Sequence, residues 1–144
     1  MAAEVFVDAG IWYGAANRAL AEHGLSLAVL GEVAAEGRGF VTTNLVVAEV
    51  HASLLRRVHR RAALDFLQGV RALPRAVISS TPDLEARAVH DWIERYDDQD
   101  FSLADAVSFT VMTERGIEEA LTFDRHFAAA GFRVRPKLPR ERHR

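Results

Sequence analysis

Asp8, Glu49, Asp105 and Asp124 are the residues of this chain best placed to do chemistry, and they share a neighbourhood rather than a spacing. Asp8 interrupts the apolar runs Val5-Phe6-Val7 and Ile11-Trp12-Tyr13. Glu49 lies between Leu45-Val46-Val47-Ala48 and Val50, and Asp105 between Leu103-Ala104 and Ala106-Val107, ahead of Phe109 and Val111. A carboxylate in an apolar segment needs a partner, because an unpaired buried charge costs several kcal/mol or takes up a proton. No Arg or Lys falls within these runs, whereas one shared divalent cation would serve all of them. An all-oxygen ligand set without His or Cys suits Mg²⁺ or Mn²⁺ rather than zinc. A cation held in this way binds a phosphate oxygen, activates water and stabilises a leaving oxygen, which is the chemistry of phosphodiester hydrolysis.

Each acid also has a plainer reading. Asp8 could close an Asx-turn at a strand end, and Ser102-Leu103-Ala104-Asp105 has the form of a capping box that starts a helix. Glu49 could be an exposed helix residue, and Asp124 the cap of a short turn. The functional reading rests on all four falling on one edge of the fold.

The hydrophobic pattern supplies that edge. It predicts a strand at 4–7, helices at 11–20 and 25–35, and a stop at Gly37 and Gly39. A strand at 40–42 leads to a helix at 45–58, with Leu45, Ala48, Ala52 and Leu55 on one face, and a separate or bent helix at 59–70. After a strand at 76–79, Thr81-Pro82 opens a helix running to about Tyr96, with Thr as N-cap and Pro at the first helical position. A helix from Ser102 to Arg115, a strand at 119–122, a helical turn at 125–129 and a strand at 132–135 complete the chain.

Strands separated by helices pair in parallel through right-handed crossovers. The expected fold class is therefore α/β, a three-layer α/β/α sandwich with a short parallel sheet. Ligands of such sheets bind beyond the carboxyl ends of the strands. Asp8 and Asp124 directly follow the first and fourth strands; Glu49 and Asp105 lie near the starts of the helices beginning at 45 and 102.

Composition sets the bounds. The 144 residues, 49% hydrophobic and 26% charged with a net charge of −2, suit one globular domain at 1–136 followed by a basic tail at 137–144. The absence of cysteine excludes a disulfide framework, a thiolate metal site and a cysteine nucleophile. The first eight residues lack the pattern of a signal peptide, and no apolar run approaches the roughly 20 residues that span a bilayer; a cytoplasmic protein with no membrane partner is expected. Of 18 Lys and Arg residues only Lys137 is lysine. Arg56, Arg57, Arg60 and Arg61 recur at i,i+4 spacing and read either as a solvated helix face or as one that contacts phosphates or a protein partner. Trp12, Trp92 and Phe109 read as core, and none of the six histidines falls in a metal-ligand spacing.

At its acids the chain resembles the PIN-domain family over nearly its whole length. The blocks that carry the likeness are Val5-Phe6-Val7-Asp8-Ala9 and Thr42-Thr43-Asn44-Leu45-Val46-Val47-Ala48-Glu49. Two further blocks, Asp100-Phe101-Ser102-Leu103-Ala104-Asp105-Ala106-Val107-Ser108-Phe109 and Ala120-Leu121-Thr122-Phe123-Asp124-Arg125-His126-Phe127, particularly resemble VapC-type toxins. The resemblance implies Mg²⁺-dependent cleavage of RNA such as tRNA or rRNA, a homodimer, and neutralisation by a VapB-type antitoxin. It implies a metal site of Asp8, Glu49, Asp105 and Asp124, with Asp100 and Thr43 as auxiliary residues. The chain departs from many relatives in carrying Ala9-Gly10, where a Ser or Thr follows the first Asp.

Other readings fit less well. A response-regulator receiver needs an Asp after the third strand, which here ends Ile78-Ser79-Ser80, and a haloacid-dehalogenase phosphatase needs an acid at Gly10. A housekeeping RNA-processing or DNA nuclease, or a non-catalytic interaction module on the same fold, are the alternatives that keep the architecture.

Overall fold

The computed structural model describes residues 3–137, so all but the first residue of the expected basic tail at 137–144 lies outside the described residues. The chain begins with β1 (Val5–Val7), α1 (Ala9–Ala16) and α2 (His23–Ala35), followed by β2 (Phe40–Thr43), α3 (Asn44–Arg57) and α4 (Arg60–Ala72). Next come β3 (Val77–Ile78), α5 (Pro82–Ala88) with a π-helical turn at Val89–Glu94, and α6 (Leu103–Arg115). Finally, β4 (Glu119–Leu121), α7 (Arg125–Ala129) and β5 (Arg133–Arg135) close the described chain.

The strands form one parallel sheet in the order β3-β2-β1-β4-β5, with Phe6 of β1 level with Val41 on one side and Ala120 on the other. All three residues of β1 are buried, as expected of a central parallel strand covered on both faces. Right-handed crossovers on this strand order put α1–α4 on one face and α5–α7 on the other. The packing follows that division: α1 lies against α2 and α3, and α3 against α4, while α6 lies against α5 and α7. The three-layer α/β/α expectation is therefore met. Phe6, Phe109 and Phe127 are fully buried between the sheet and the second layer, with the Phe109 and Phe127 rings edge to face at 5.0 Å.

Two helices differ from their predicted extents by more than two residues at an end. Helix α1 stops at Ala16 rather than Leu20, because Asn17 is extended and its side-chain oxygen accepts a hydrogen bond from Ala19 N at 3.1 Å. That local bond offers the backbone an alternative to helix. The helix opened by Thr81 is not α-helical to Tyr96 but widens into the π turn. There Trp92 stacks on Tyr96 at 5.4 Å and packs edge-on to Phe109 at 5.0 Å. The break between α3 and α4 is sharp: His59 Nδ1 accepts from Ala62 N at 3.1 Å and caps α4. Arg56 and Arg57 thus end α3, and Arg60 and Arg61 begin α4, so the four do not form one helical face. No helix among the described residues is long and apolar enough to cross a membrane.

Candidate active site

The sheet order reverses direction between β1 and β4, and the carboxyl ends of these two strands flank a crevice of the kind that takes ligands in α/β folds. Asp8 follows β1 there, and Asp124 follows β4 as the N-cap of α7. Glu49 enters from the second turn of α3, and Asp105 from the first turn of α6. All four line one cavity of about 480 Å³, together with Asp100 and His126. Thr43, fully buried, is not among the lining residues: its hydroxyl accepts from Val46 N at 3.2 Å and caps α3.

The protein ties down one oxygen of three of these carboxylates. The Thr122 hydroxyl donates to Asp8 Oδ2 at 2.8 Å and itself accepts from Asp124 N at 2.9 Å. Asp124 Oδ1 accepts from His126 N at 2.9 Å. Asp105 Oδ2 accepts from Ser102 N at 3.1 Å and lies 2.9 Å from His126 Nδ1. An ionised carboxylate only accepts, so Nδ1 carries the hydrogen of that last bond. Phe101 meets the imidazole edge-on at 5.4 Å and 84°, which holds the ring plane.

The two readings of Asp105 and Asp124 are compatible. Ser102 and Asp105 form a capping box, Asp124 caps α7, and both acids also line the cavity. Protein donors therefore supply part of the pairing that the sequence assigned to a cation alone. Thr122 and His126 were not singled out from the sequence, although Thr122, Asp124 and His126 alternate with Phe123 and Arg125 and so recur at every second residue.

Electrostatics set the character of the cavity. Burial pushes the Asp8 carboxyl up to about 7; hydrogen bonds from Ala9 and Thr122 oppose this, and the charges of Asp124 and Asp105 add to it. Glu49, exposed on one side, is raised by partial desolvation where it borders the cavity and then by the charges of Asp105 and Asp124. Burial would lower His126, but the hydrogen bond to Asp105 and the charges of Asp124, Asp105 and Asp100 outweigh it and hold the imidazole above its ordinary value. Among the described residues no Arg or Lys lines the cavity. This is a cluster of acids whose donor set fits a hard divalent cation. Ligand atoms of Asp105, Asp124 and His126 all lie within 4.8 Å of one another, so a histidine that sequence spacing left out stands beside two of the acids.

Comparison with known proteins agrees with the fold. The PIN-domain family model matches residues 5–133. The chain is 36% identical over 134 residues to the 23S rRNA-specific endonuclease VapC20 of Mycobacterium tuberculosis, covering 92% of this chain and 99% of the relative. The crystal structure of Mycobacterium tuberculosis VapC20, described as a Sarcin-Ricin loop cleaving toxin, superposes with a TM-score of 0.73 at 34% identity, over 90% of this chain and 96% of that one. FitAcB from Neisseria gonorrhoeae shares the fold at a TM-score of 0.62 and 13% identity, over 90% and 95% of the two chains. A cavity of carboxylates at the switch point of a 3-2-1-4-5 parallel sheet, in a chain matched along nearly its whole length, leads to one assignment: this chain belongs to the PIN-domain family, among its VapC-type toxin ribonucleases.

Proposed function

We propose that the chain hydrolyses phosphodiester bonds of large-subunit ribosomal RNA with Mg²⁺ or Mn²⁺, as the toxin of a VapBC-type pair. The observation that carries the proposal is the convergence of Asp8, Glu49, Asp105 and Asp124 on one cavity whose described lining includes no lysine or arginine. The choice of RNA follows the VapC20 relative, named for its action on 23S rRNA.

Asp8, Glu49, Asp105 and Asp124 would hold the cation. When bound, it supplies the positive charge that draws in a phosphate oxygen and stabilises the developing negative charge. The residues around it do the positioning. Thr122 fixes Asp8, and Ser102 with His126 fixes Asp105, so that these carboxylates need not reorganise as substrate arrives. Asp8 holds a proton more readily than an ordinary carboxyl, and would have to release it to solvent to serve as a ligand of the cation. Asp100, which lines the same cavity, is an auxiliary acid. Thr43 acts indirectly, through the start of the helix that carries Glu49. A VapB-type antitoxin neutralises the cluster by presenting an arginine, whose planar fork suits carboxylates. The toxin works in the cytoplasm as a homodimer.

The test is incubation of total RNA with the purified protein, with Mg²⁺ and with a chelator, followed by mapping of the new 5′ ends. Cleavage is expected in large-subunit rRNA, only with the metal, and Asp8→Asn abolishes it. Producing the wild type alone in a bacterial host arrests growth, and Asp8→Asn at matched protein level relieves the arrest. Metal-dependent cleavage without growth arrest would favour a housekeeping nuclease; cleavage of DNA alone would favour a DNA nuclease. No cleavage of either would favour a non-catalytic module.

A further inference from the structure

The acidic cavity does not end at Glu49. A second cavity of about 260 Å³ shares Ala9, Gly10 and Glu49 with it and runs between α1 and α3, past Tyr13 and Ser53, to Arg57. Glu49, Ser53 and Arg57 recur every four residues along α3 and so form one wall, and Ala9, Gly10 and Tyr13 of α1 form the other. At 1.5 Å per residue, Glu49 and Arg57 are about 12 Å apart along the helix axis, a distance that an arginine side chain leaning toward the helix N-terminus shortens.

The two cavities have complementary charge. Among the described residues, the first holds acids and a histidine without a lysine or arginine, and Arg57 is the one cation lining the second. Arg57 is exposed and makes no ion pair with a described residue, in contrast to Arg61, which pairs with Asp65 at 3.0 Å. A polyanion whose scissile phosphate sits among carboxylates meets repulsion on every side except through the cation they hold, so its adjacent phosphates need charge from outside the cluster.

We infer that the α1–α3 cavity is a subsite for a nucleotide flanking the scissile phosphate, with Arg57 taking the flanking phosphate. The inference rests on the ribonuclease reading and specifies where the substrate strand runs. The lining matches the parts of a nucleotide: a guanidinium for the phosphate, the Ser53 hydroxyl for polar edges, and the apolar face of Tyr13 for a base or sugar. Tyr13 is anchored, since its hydroxyl accepts from Asn17 Nδ2 at 3.1 Å. Small residues at Ala9 and Gly10 keep the passage between the two cavities open. Its continuity with the acidic cavity through Ala9, Gly10 and Glu49 favours a nucleotide of the substrate strand as its occupant.

The experiment measures cleavage of a synthetic oligoribonucleotide spanning the site that the wild-type protein cuts, by wild type, Arg57→Ala and Arg57→Lys. A second set of oligonucleotides carries a single uncharged methylphosphonate at successive flanking positions. Arg57→Ala raises KM about tenfold, the size of one lost charge-assisted hydrogen bond, with kcat unchanged, and Arg57→Lys recovers part of the loss. The slope of log KM against log salt falls by about 0.7, the contribution of one phosphate on a single strand. One methylphosphonate position costs the wild type the same factor and costs Arg57→Ala nothing. Cleavage by the wild type with KM unmoved in Arg57→Ala overturns the subsite alone. So does unchanged RNA cleavage combined with weakened binding of the co-encoded antitoxin, which would make the cavity a protein contact. Absence of cleavage by the wild type overturns the ribonuclease reading, and the subsite with it.

Discussion

Removing the His126 imidazole is the sharpest probe of the site, because it leaves every carboxylate in place. In His126→Ala, Asp105 Oδ2 keeps the hydrogen bond from Ser102 N at 3.1 Å and loses the one from Nδ1 at 2.9 Å. A hydrogen bond with one charged partner contributes about 1.5–3 kcal/mol. The Asp105 side chain is 13% exposed and the His126 side chain 32%, so solvent replaces part of the loss and the lower figure applies. About 1.5 kcal/mol is roughly a tenfold effect. It should appear as a tenfold rise in the Mg²⁺ concentration that half-saturates cleavage, and as the same weakening of Mg²⁺ binding by titration calorimetry without RNA. His126→Asn places an amide donor near the position of Nδ1 and restores most of the loss, whereas His126→Gln, which mimics Nε2, restores little. Helix content by circular dichroism stays at the wild-type level in all three. A wild-type metal requirement in His126→Ala, or rescue by Gln in place of Asn, would refute the bracing role.

Two further predictions follow from burial. Because the native Asp8 carboxyl sits at about 7 against an ordinary 3.8, the native state keeps a proton over that range that the unfolded chain has released; metal-free stability therefore falls as pH rises from about 4 through 7. In chelator, Asp8→Asn should melt above the wild type at pH 8 with the gap closing near pH 4, and wild-type Mg²⁺ affinity should climb through pH 7; equal melting at pH 8 would contradict this. Gly14→Ala puts a Cβ 2.2 Å from Ser26 Oγ and 3.1 Å from Ser26 Cβ, inside a packed helix pair, and should cost about 1–3 kcal/mol in urea unfolding. Ser26→Ala alone should be neutral or stabilising, since that buried hydroxyl has no hydrogen-bond partner among the described residues, and should relieve part of the Gly14→Ala loss.

The acids were legible in the sequence because their positions depend on features that pattern reveals. The β-branched run at Val5–Val7 and the apolar start of α6 place Asp8 and Asp105, and the parallel topology gathers the acids at one edge. The face expected for α3 (Leu45, Ala48, Ala52 and Leu55) is not the one it buries, which is Val46, Val47, Val50 and Leu54. The braces were not legible. His126 reaches Asp105 across 21 residues, and Thr122 reaches Asp8 across 114, so each contact exists only once the sheet order is known. The boundary errors have the same origin in local competition. Asn17 satisfies its own neighbour's amide and ends α1, and Trp92 draws the helix after Pro82 into a wider turn. Glu49 was expected within an apolar run; it is solvent-exposed on its helix and still borders the cavity, since one helix presents both a buried and an open face.

The capping box on α6 makes the durability of the active site a matter of how helix ends open. Terminal turns are the first parts of a helix to exchange their amide hydrogens, and Asp105 and Asp124 both sit at such ends. The Ser102–Asp105 exchange of hydrogen bonds closes the first turn of α6, so each opening of that turn dismantles the site while the core around Phe109 stays intact. If the proposed site is the active one, activity on warming should follow local fraying rather than global unfolding, and cleavage should decline below the melting temperature. A bound cation, which favours the closed turn, would narrow that interval.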